Sequence, residues 1–154
     1  EDLINAYSII EKKIPHKLII LGDGEDRQKL ISIITQKNLN KKIYLPGYVT
    51  NPLKYFKKSK IFVLSSLREG MPNVLLEAMM CGCTPVSTNC KTGPSEIIKN
   101  EKFGYLSPPK NPNLLAQNIL KAIEKPIPKN QLDKVLKEFE SEEIIKKHFE
   151  LLKI

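Results

Sequence analysis

The sequence predicts an α/β fold with a parallel sheet flanked by helices. Three observations carry that prediction. Short apolar runs such as Lys17–Leu21, Ile61–Ser65 and Thr84–Thr88 alternate with amphipathic segments, the rhythm of strands buried on both faces and of crossover helices. One of those runs passes through a Gly- and Pro-bearing loop straight into a helical pattern (Ile61 to Met80). The chain has 154 residues, 41% of them hydrophobic and 27% charged, which suits one domain with a core of its own.

Taken in order, Asp2 to Lys13 reads as a helix with Leu3, Ala6, Ile9 and Ile10 on one face. Lys17–Leu21 is a buried strand that ends at Gly22-Asp23-Gly24, and Glu25 to Lys37 is a helix with Leu30, Ile33 and Ile34 apolar. Ile43 to Val49 is a second strand with its exit loop. Asn51 to Lys58 is a short helix in which Asn51 is placed as cap and Pro52 as first residue. Ile61–Ser65 and Thr84–Thr88 are the third and fourth strands, separated by a helix that starts near Pro72. Pro94 to Asn100 is a short helix, Gly104–Ser107 an edge-like fifth strand, and Asn113 to Lys125 a helix with Leu114, Leu115, Ile119, Leu120 and Ile123 apolar. Gln131 to Ile154 is helical in pattern, with Ser141 as an N-cap and Glu142 and Glu143 in the first turn. Its apolar face reads as a strap across the fold, although an amphipathic membrane helix has the same pattern.

The net charge is +8, from 25 Lys and Arg against 17 Asp and Glu. A basic surface suits phosphate ligands or anionic membranes. Nucleic acid is disfavoured, because the lysines are spread from Lys12 to Lys153 with no recognition motif beside them. No apolar run approaches the roughly 20 residues of a membrane span, and no signal peptide is recognisable. The odd count of three cysteines, Cys81, Cys83 and Cys90, fits a reducing compartment. Cys81-Gly82-Cys83 has half of a metal-site spacing but no second Cys or His pair near it, so small buried thiols at a helix-to-strand turn are the better reading. The chain opens inside a helical pattern without a Met and is expected to belong to something longer.

The chemistry concentrates in Arg68-Glu69-Gly70-Met71-Pro72-Asn73-Val74-Leu75-Leu76-Glu77. Ligands of open parallel sheets bind above the carboxyl ends of the strands. A helix starting near Pro72 presents unpaired N–H groups and the positive end of its dipole, an anion cradle. Gly70 lets the backbone come close to a ligand. Glu77 shares a face with Asn73 by the i, i+4 rule, while Glu69 lies in the loop. Carboxylates only accept, so a pair flanking a diphosphate suits sugar hydroxyls. Either glutamate alone reads as a solvated surface charge; the strand, the glycine and the proline around them favour a site. Gly22-Asp23-Gly24-Glu25-Asp26-Arg27 begins like a dinucleotide fingerprint, but Arg27 stands where the third glycine belongs, which weakens a nicotinamide site. With only His16 and His148, no Ser-His-Asp set is expected; His16 reads as exposed and His148 as half-packed.

Glu69 to Met79 resembles the E-x7-E motif of the retaining glycosyltransferases of family 4. Cys81 to Thr88 and Thr92 to Ile98 resemble the segments that come after that motif in the family. Leu18 to Gly24, Leu45 to Val49 and Gly104 to Leu106 with Leu114 to Ala116 sit in the family's order. The resemblance implies one Rossmann-like half of a GT-B architecture. Residues 1–154 would be the nucleotide-sugar-binding domain, with 131–154 as a helical strap and the N-terminal acceptor domain absent. It implies Glu69 as the catalytic residue at the donor sugar, Glu77 at the ribose, and the backbone of Gly70, Met71, Pro72, Asn73, Val74 and Leu75 around sugar and diphosphate. Gly22 and Asp23 would line the nucleotide cleft, and Tyr48 and Val49 would read the base.

The implied donor is a UDP-hexose or UDP-N-acetylhexosamine, used without a metal or other cofactor. The implied acceptor is a surface glycan or lipid-linked sugar, met through the missing domain. The implied setting is the bacterial cytoplasm, at the inner face of the membrane with peripheral membrane contact. An Arg and a Lys that grip the diphosphate in the family precede this sequence. Two alternatives stay open: a nucleotide-sugar epimerase of the same architecture, and a non-catalytic nucleotide-binding module.

Overall fold

A computed structural model describes residues 1–140. The order is α1 (Asp2–Ile10), β1 (Leu18–Leu21), α2 (Arg27–Gln36), β2 (Ile43–Gly47), α3 (Leu53–Phe56), β3 (Ile61–Leu64), α4 (Asn73–Met80), β4 (Thr84–Thr88), α5 (Pro94–Ile97), β5 (Tyr105–Ser107), α6 (Pro112–Glu124) and α7 (Lys129–Lys137). The expected alternation of strands and helices is present, and every strand pairing is parallel. The segment 141–154, including the Ser141 cap, His148 and the far part of the strap, lies outside the described residues.

One expectation changes in kind: the strands form two sheets. β1 pairs with β2, and β3, β4 and β5 form a second sheet in that order. In the larger sheet Ile61 stands opposite Thr84 and Val86 opposite Tyr105, and all five residues of β4 are buried. In the smaller, Leu18 stands opposite Ile43 and Leu21 opposite Gly47, with an irregularity between. Pro46 lies at that irregularity, where a residue without an N–H does no harm.

The core is continuous. Leu75 and Met79 of α4 are fully buried, each worth about 1.5–3 kcal/mol of transfer free energy. α1 packs against α6 and α4 against α7. The buried face of α1 is Ile4, Ala6, Tyr7 and Ile10, and Ile9 is exposed. The helix is apolar on more than one side, so contact with α6 chose the face that periodicity placed one step away. The helix also stops at Ile10 rather than Lys13. α3 is shorter than expected, with Pro52 in the capping position and no side-chain cap bond, so Asn51 does not cap it. α5 ends at Ile97. α6 is capped by Asn111, whose side chain accepts from Leu114 N–H at 3.0 Å. His16 is half-buried, its Nδ1 without a partner among the described residues, where the sequence suggested exposure.

Long-range hydrogen bonds fasten the sheet to its surroundings. The Ile127 N–H donates to the Thr84 hydroxyl at 2.9 Å, the Asn118 amide to the Leu106 carbonyl at 2.9 Å, and the Tyr105 hydroxyl to the Lys125 carbonyl at 2.8 Å. Burial pushes the Tyr105 hydroxyl above its ordinary pKa. These ties leave the carboxyl ends of the strands as the open edge of the fold.

Candidate functional site

The loop from β3 to α4 is held from below by the segment after β4. The Thr88 hydroxyl donates to the Ser66 carbonyl at 2.5 Å, and the Cys90 thiol donates to the same oxygen at 3.1 Å. The Thr92 hydroxyl donates to the Glu69 carbonyl at 2.6 Å. Gly93 closes the contact. A Cβ there would overlap the Gly70 carbonyl oxygen and lie 2.7 Å from Pro72 Cδ, and its φ of +89° is itself a glycine conformation. The Gly93 N–H donates to the Glu96 carboxylate at 3.0 Å, so the lower segment is braced by α5. Thr88, Cys90, Thr92 and Gly93 are the site-building residues that motif reading did not assign; the Thr-Gly-Pro triplet before α5 was the available signal.

The clamp determines what the helix N-terminus offers. Pro72 is the N-cap residue of α4 rather than its first helical residue, and it makes no side-chain cap bond. The Asn73 N–H donates to the Met71 carbonyl at 2.9 Å and the Leu75 N–H to the Pro72 carbonyl at 2.9 Å. Those two donors are spent on the turn. The N–H groups of Gly70, Met71 and Val74 have no partner among the described residues, and together with the helix dipole they form a narrower anion cradle than the sequence suggested. Pro72 and Leu75 are buried, so their side chains support the loop from the core. Glu69 is half-buried, and Asn73 and Glu77 are placed on one face of α4, Asn73 exposed and Glu77 at least partly so. Neither glutamate carboxylate has a hydrogen bond or ion pair among the described residues. Both remain free to accept from a ligand. Arg68 is exposed beside them.

The second group of expected residues lies at the carboxyl ends of β1 and β2. The Gly22 N–H donates to the Gly47 carbonyl at 2.9 Å, with φ of +112° and +82° at the two glycines. That bond joins the two strand exits and sets Asp23 beside Gly47. Asp23 Oδ1 accepts from the Gly24 N–H at 2.9 Å. Tyr48 is 77% exposed and Val49 half-buried. A hollow of about 210 Å³ here is lined by Gly22, Asp23, Asp26, Arg27 and Leu45. Arg27, where a dinucleotide fingerprint would have glycine, instead donates from Nη2 to the Leu45 carbonyl at 3.2 Å. It ties α2 to β2.

The structure thus gathers the expected residues into two clusters along one edge: Glu69 to Glu77 on the larger sheet, Gly22, Asp23, Tyr48 and Val49 on the smaller. Between them lies a slot bordered by Leu21 on one side and Ser65 and Ser66 on the other. The cysteines take no part in chemistry at this edge. Burial pushes the Cys83 thiol up to about 11, and Cys83 Sγ–H donates to the Phe56 carbonyl at 3.2 Å, so it is a packed, protonated thiol. The described residues include no group of three or more His, Cys, Asp or Glu placed to hold a metal ion.

Comparison with known proteins supports this geometry. Residues 1–139 match the family of glycosyl transferases group 1. The chain is 37% identical, over 95% of its length, to an uncharacterized glycosyltransferase of Methanocaldococcus jannaschii, covering 39% of that protein. It is 36% identical, over 79% of its length, to the N-acetylgalactosamine-N,N'-diacetylbacillosaminyl-diphospho-undecaprenol 4-alpha-N-acetylgalactosaminyltransferase of Campylobacter jejuni, covering 33% of it. Among solved structures, S. aureus TarM in complex with Fondaparinux, alpha-GlcNAc-glycerol and UDP superposes with a TM-score of 0.84 at 29% identity, over 97% of this chain and 32% of TarM. The chain therefore spans about a third of the length of these relatives. Structural neighbours of this kind are GT-B glycosyltransferases, in agreement with the expected Rossmann-like half. By sequence and by fold, this chain belongs to the glycosyl transferases group 1 family.

Proposed function

We propose that the chain is the donor-binding half of a retaining glycosyltransferase of family 4, which moves a hexose or N-acetylhexosamine from a UDP-sugar to a surface glycan or lipid-linked acceptor. The observation that carries this reading is the clamped β3–α4 loop, with three free N–H groups between two uncommitted carboxylates. The UDP bound by TarM and the N-acetylgalactosaminyl transfer in the Campylobacter protein's name support the nucleotide and the sugar class.

In this reading the diphosphate lies against the N–H groups of Gly70, Met71 and Val74 at the positive end of α4. Glu77 accepts from the ribose diol, and Glu69 accepts from hydroxyls of the transferred sugar, with Asn73 beside it. Gly22 and Asp23 line the nucleotide, and Tyr48 and Val49 face the base. Departure of the diphosphate builds negative charge where the dipole and N–H groups already point, and so stabilises the transition state without a metal. The acceptor approaches from an opposing domain on the same face as the leaving group, which retains the anomeric configuration. The reaction belongs in the cytoplasm, at the inner face of the membrane where a lipid-linked acceptor is presented.

The test is a titration of the whole protein with UDP, UDP-GlcNAc, GDP-mannose and NAD, followed by thermal shift. Uridine nucleotides are expected to raise the melting temperature most. Stabilisation by NAD alone would overturn the reading.

A further inference from the structure

The slot between β1 and β3 differs from every other strand boundary among the described residues. It has a volume of about 700 Å³ and is walled by Leu18–Leu21 of β1 and Ile61–Leu64 of β3, with Tyr7, Phe56 and Ile119 among the groups behind them. Both walls are strand edges with their hydrogen-bonding groups unused. Leu18 and Gly22 donate their N–H groups to β2 and its approach, at Lys42 and Gly47. By the alternation of a strand, the N–H groups of Ile19 and Leu21 turn the other way. The Lys60 carbonyl accepts from Thr84 in β4, so Ile61 and Val63 likewise turn theirs away from β4. None of these four N–H groups has a partner across the slot among the described residues.

The burial is equally out of pattern. Parallel strands are covered on both faces, as β4 is throughout. All of β3 is only half-buried, and Ile19 in β1 is 43% exposed. A four-residue strand is about 13 Å long, about 4.8 Å wide in the sheet and about 10 Å deep with its side chains, or roughly 600 Å³. The slot has room for one such strand.

We propose that a parallel β-strand fills this slot, contributed by the same protein from the N-terminal side of α1. The position of α1 argues for that source. It lies directly before β1 and packs on α6, as the crossover helix of a βαβ unit lies between two parallel strands. The relatives are two to three times as long as this chain, so the family has polypeptide from which to supply it.

With the strand in place, the two sheets become one, ordered β2, β1, inserted strand, β3, β4, β5. That is the doubly wound order in which the chain reverses direction between the first strand and the fourth. Leu21, the last residue of β1, packs in the same cluster as Val74 at the start of α4, so the two carboxyl ends lie on one side. The loop leaving the inserted strand therefore emerges between Asp23 and the Glu69–Pro72 turn and closes the gap between the two residue clusters. At the other end, the buried Nδ1 of His16 borders the slot without a partner, where the entering backbone can meet it. The strand's own side chains are expected to be apolar and β-branched, because both of its faces meet core.

The test uses the whole protein and does not depend on its donor. Hydrogen exchange resolved to single amides should show Ile19, Leu21, Ile61 and Val63 protected to within about tenfold of Val86 in β4. Exchange more than a hundredfold faster than Val86 at all four would overturn the proposal. A benzophenone amino acid substituted at Ile19 then identifies the occupant by photo-crosslinking and mass spectrometry. Crosslinks to a segment preceding α1 are expected. Crosslinks to residues 141–154, or only between two copies of the protein, would assign the slot to a different occupant and overturn it as well.

Discussion

The turn after β3 and the turn after β1 border the same open edge, yet they are built in opposite ways. The first is gripped by the side chains of Thr88, Cys90 and Thr92 and backed by Gly93 with no room to spare. The second is joined to β2 through one backbone bond, Gly22 to Gly47, with open space around Gly22. The contrast matches the tasks proposed for them. Groups that stabilise developing charge must stand in place beforehand, because any reorganisation at the moment of reaction raises the barrier. Groups that only enclose a nucleoside can adjust as it binds.

The strongest way to break that comparison is a pair of glycine substitutions. Gly93→Ala must shift the Gly70–Pro72 turn, and overpacking with positive-φ strain should cost about 2–5 kcal/mol in denaturant unfolding. Gly22→Ala meets nothing within 4 Å, so only backbone strain remains, about 1–2 kcal/mol. Equal losses would mean that the two turns are equally constrained.

Glu69→Gln keeps the shape of the clamped loop but removes a charge at the sugar. Turnover should fall about a hundredfold with little change in KM for donor; an unchanged kcat would remove Glu69 from the reacting centre. Glu77→Ala is expected to weaken UDP binding about tenfold, the loss of a hydrogen bond to a charged acceptor, as read by calorimetry. Unaltered affinity would take Glu77 out of the site. The smallest effect belongs to Thr92→Val, which deletes the donor to the Glu69 carbonyl. It should cost about 0.5–1.5 kcal/mol of stability while lowering kcat more than donor affinity, because the partner it releases is the backbone that carries Glu69.

Much of this could be read before any coordinates. Each strand was recognisable as an apolar run, since strands covered on both faces have nowhere to place a polar side chain. Glu69, Gly70, Pro72 and Glu77 stood out because glycine and proline mark a turn chemically. The errors have a common origin. Ile9 and Ile4 are equally apolar, so the buried face of α1 depended on where α6 lay. Arg27 read only as a missing glycine, because its bond to the Leu45 carbonyl joins residues 18 apart. The N–H groups of Asn73 and Leu75 were counted as available until the turn closed on them.

By itself the sequence determined the succession of strands and helices, the basic surface and the chemical character of the β3–α4 loop, because periodicity and turn chemistry act between near neighbours. Only the tertiary structure decided how that loop is held, which of its N–H groups stay free, and that β1 and β3 face each other across a strand-sized slot. The clamp joins groups 22 to 24 residues apart, and the slot joins two strand edges with helices and another strand between them in the chain. Such meetings arise from the packing of whole elements, which no local pattern of residues encodes.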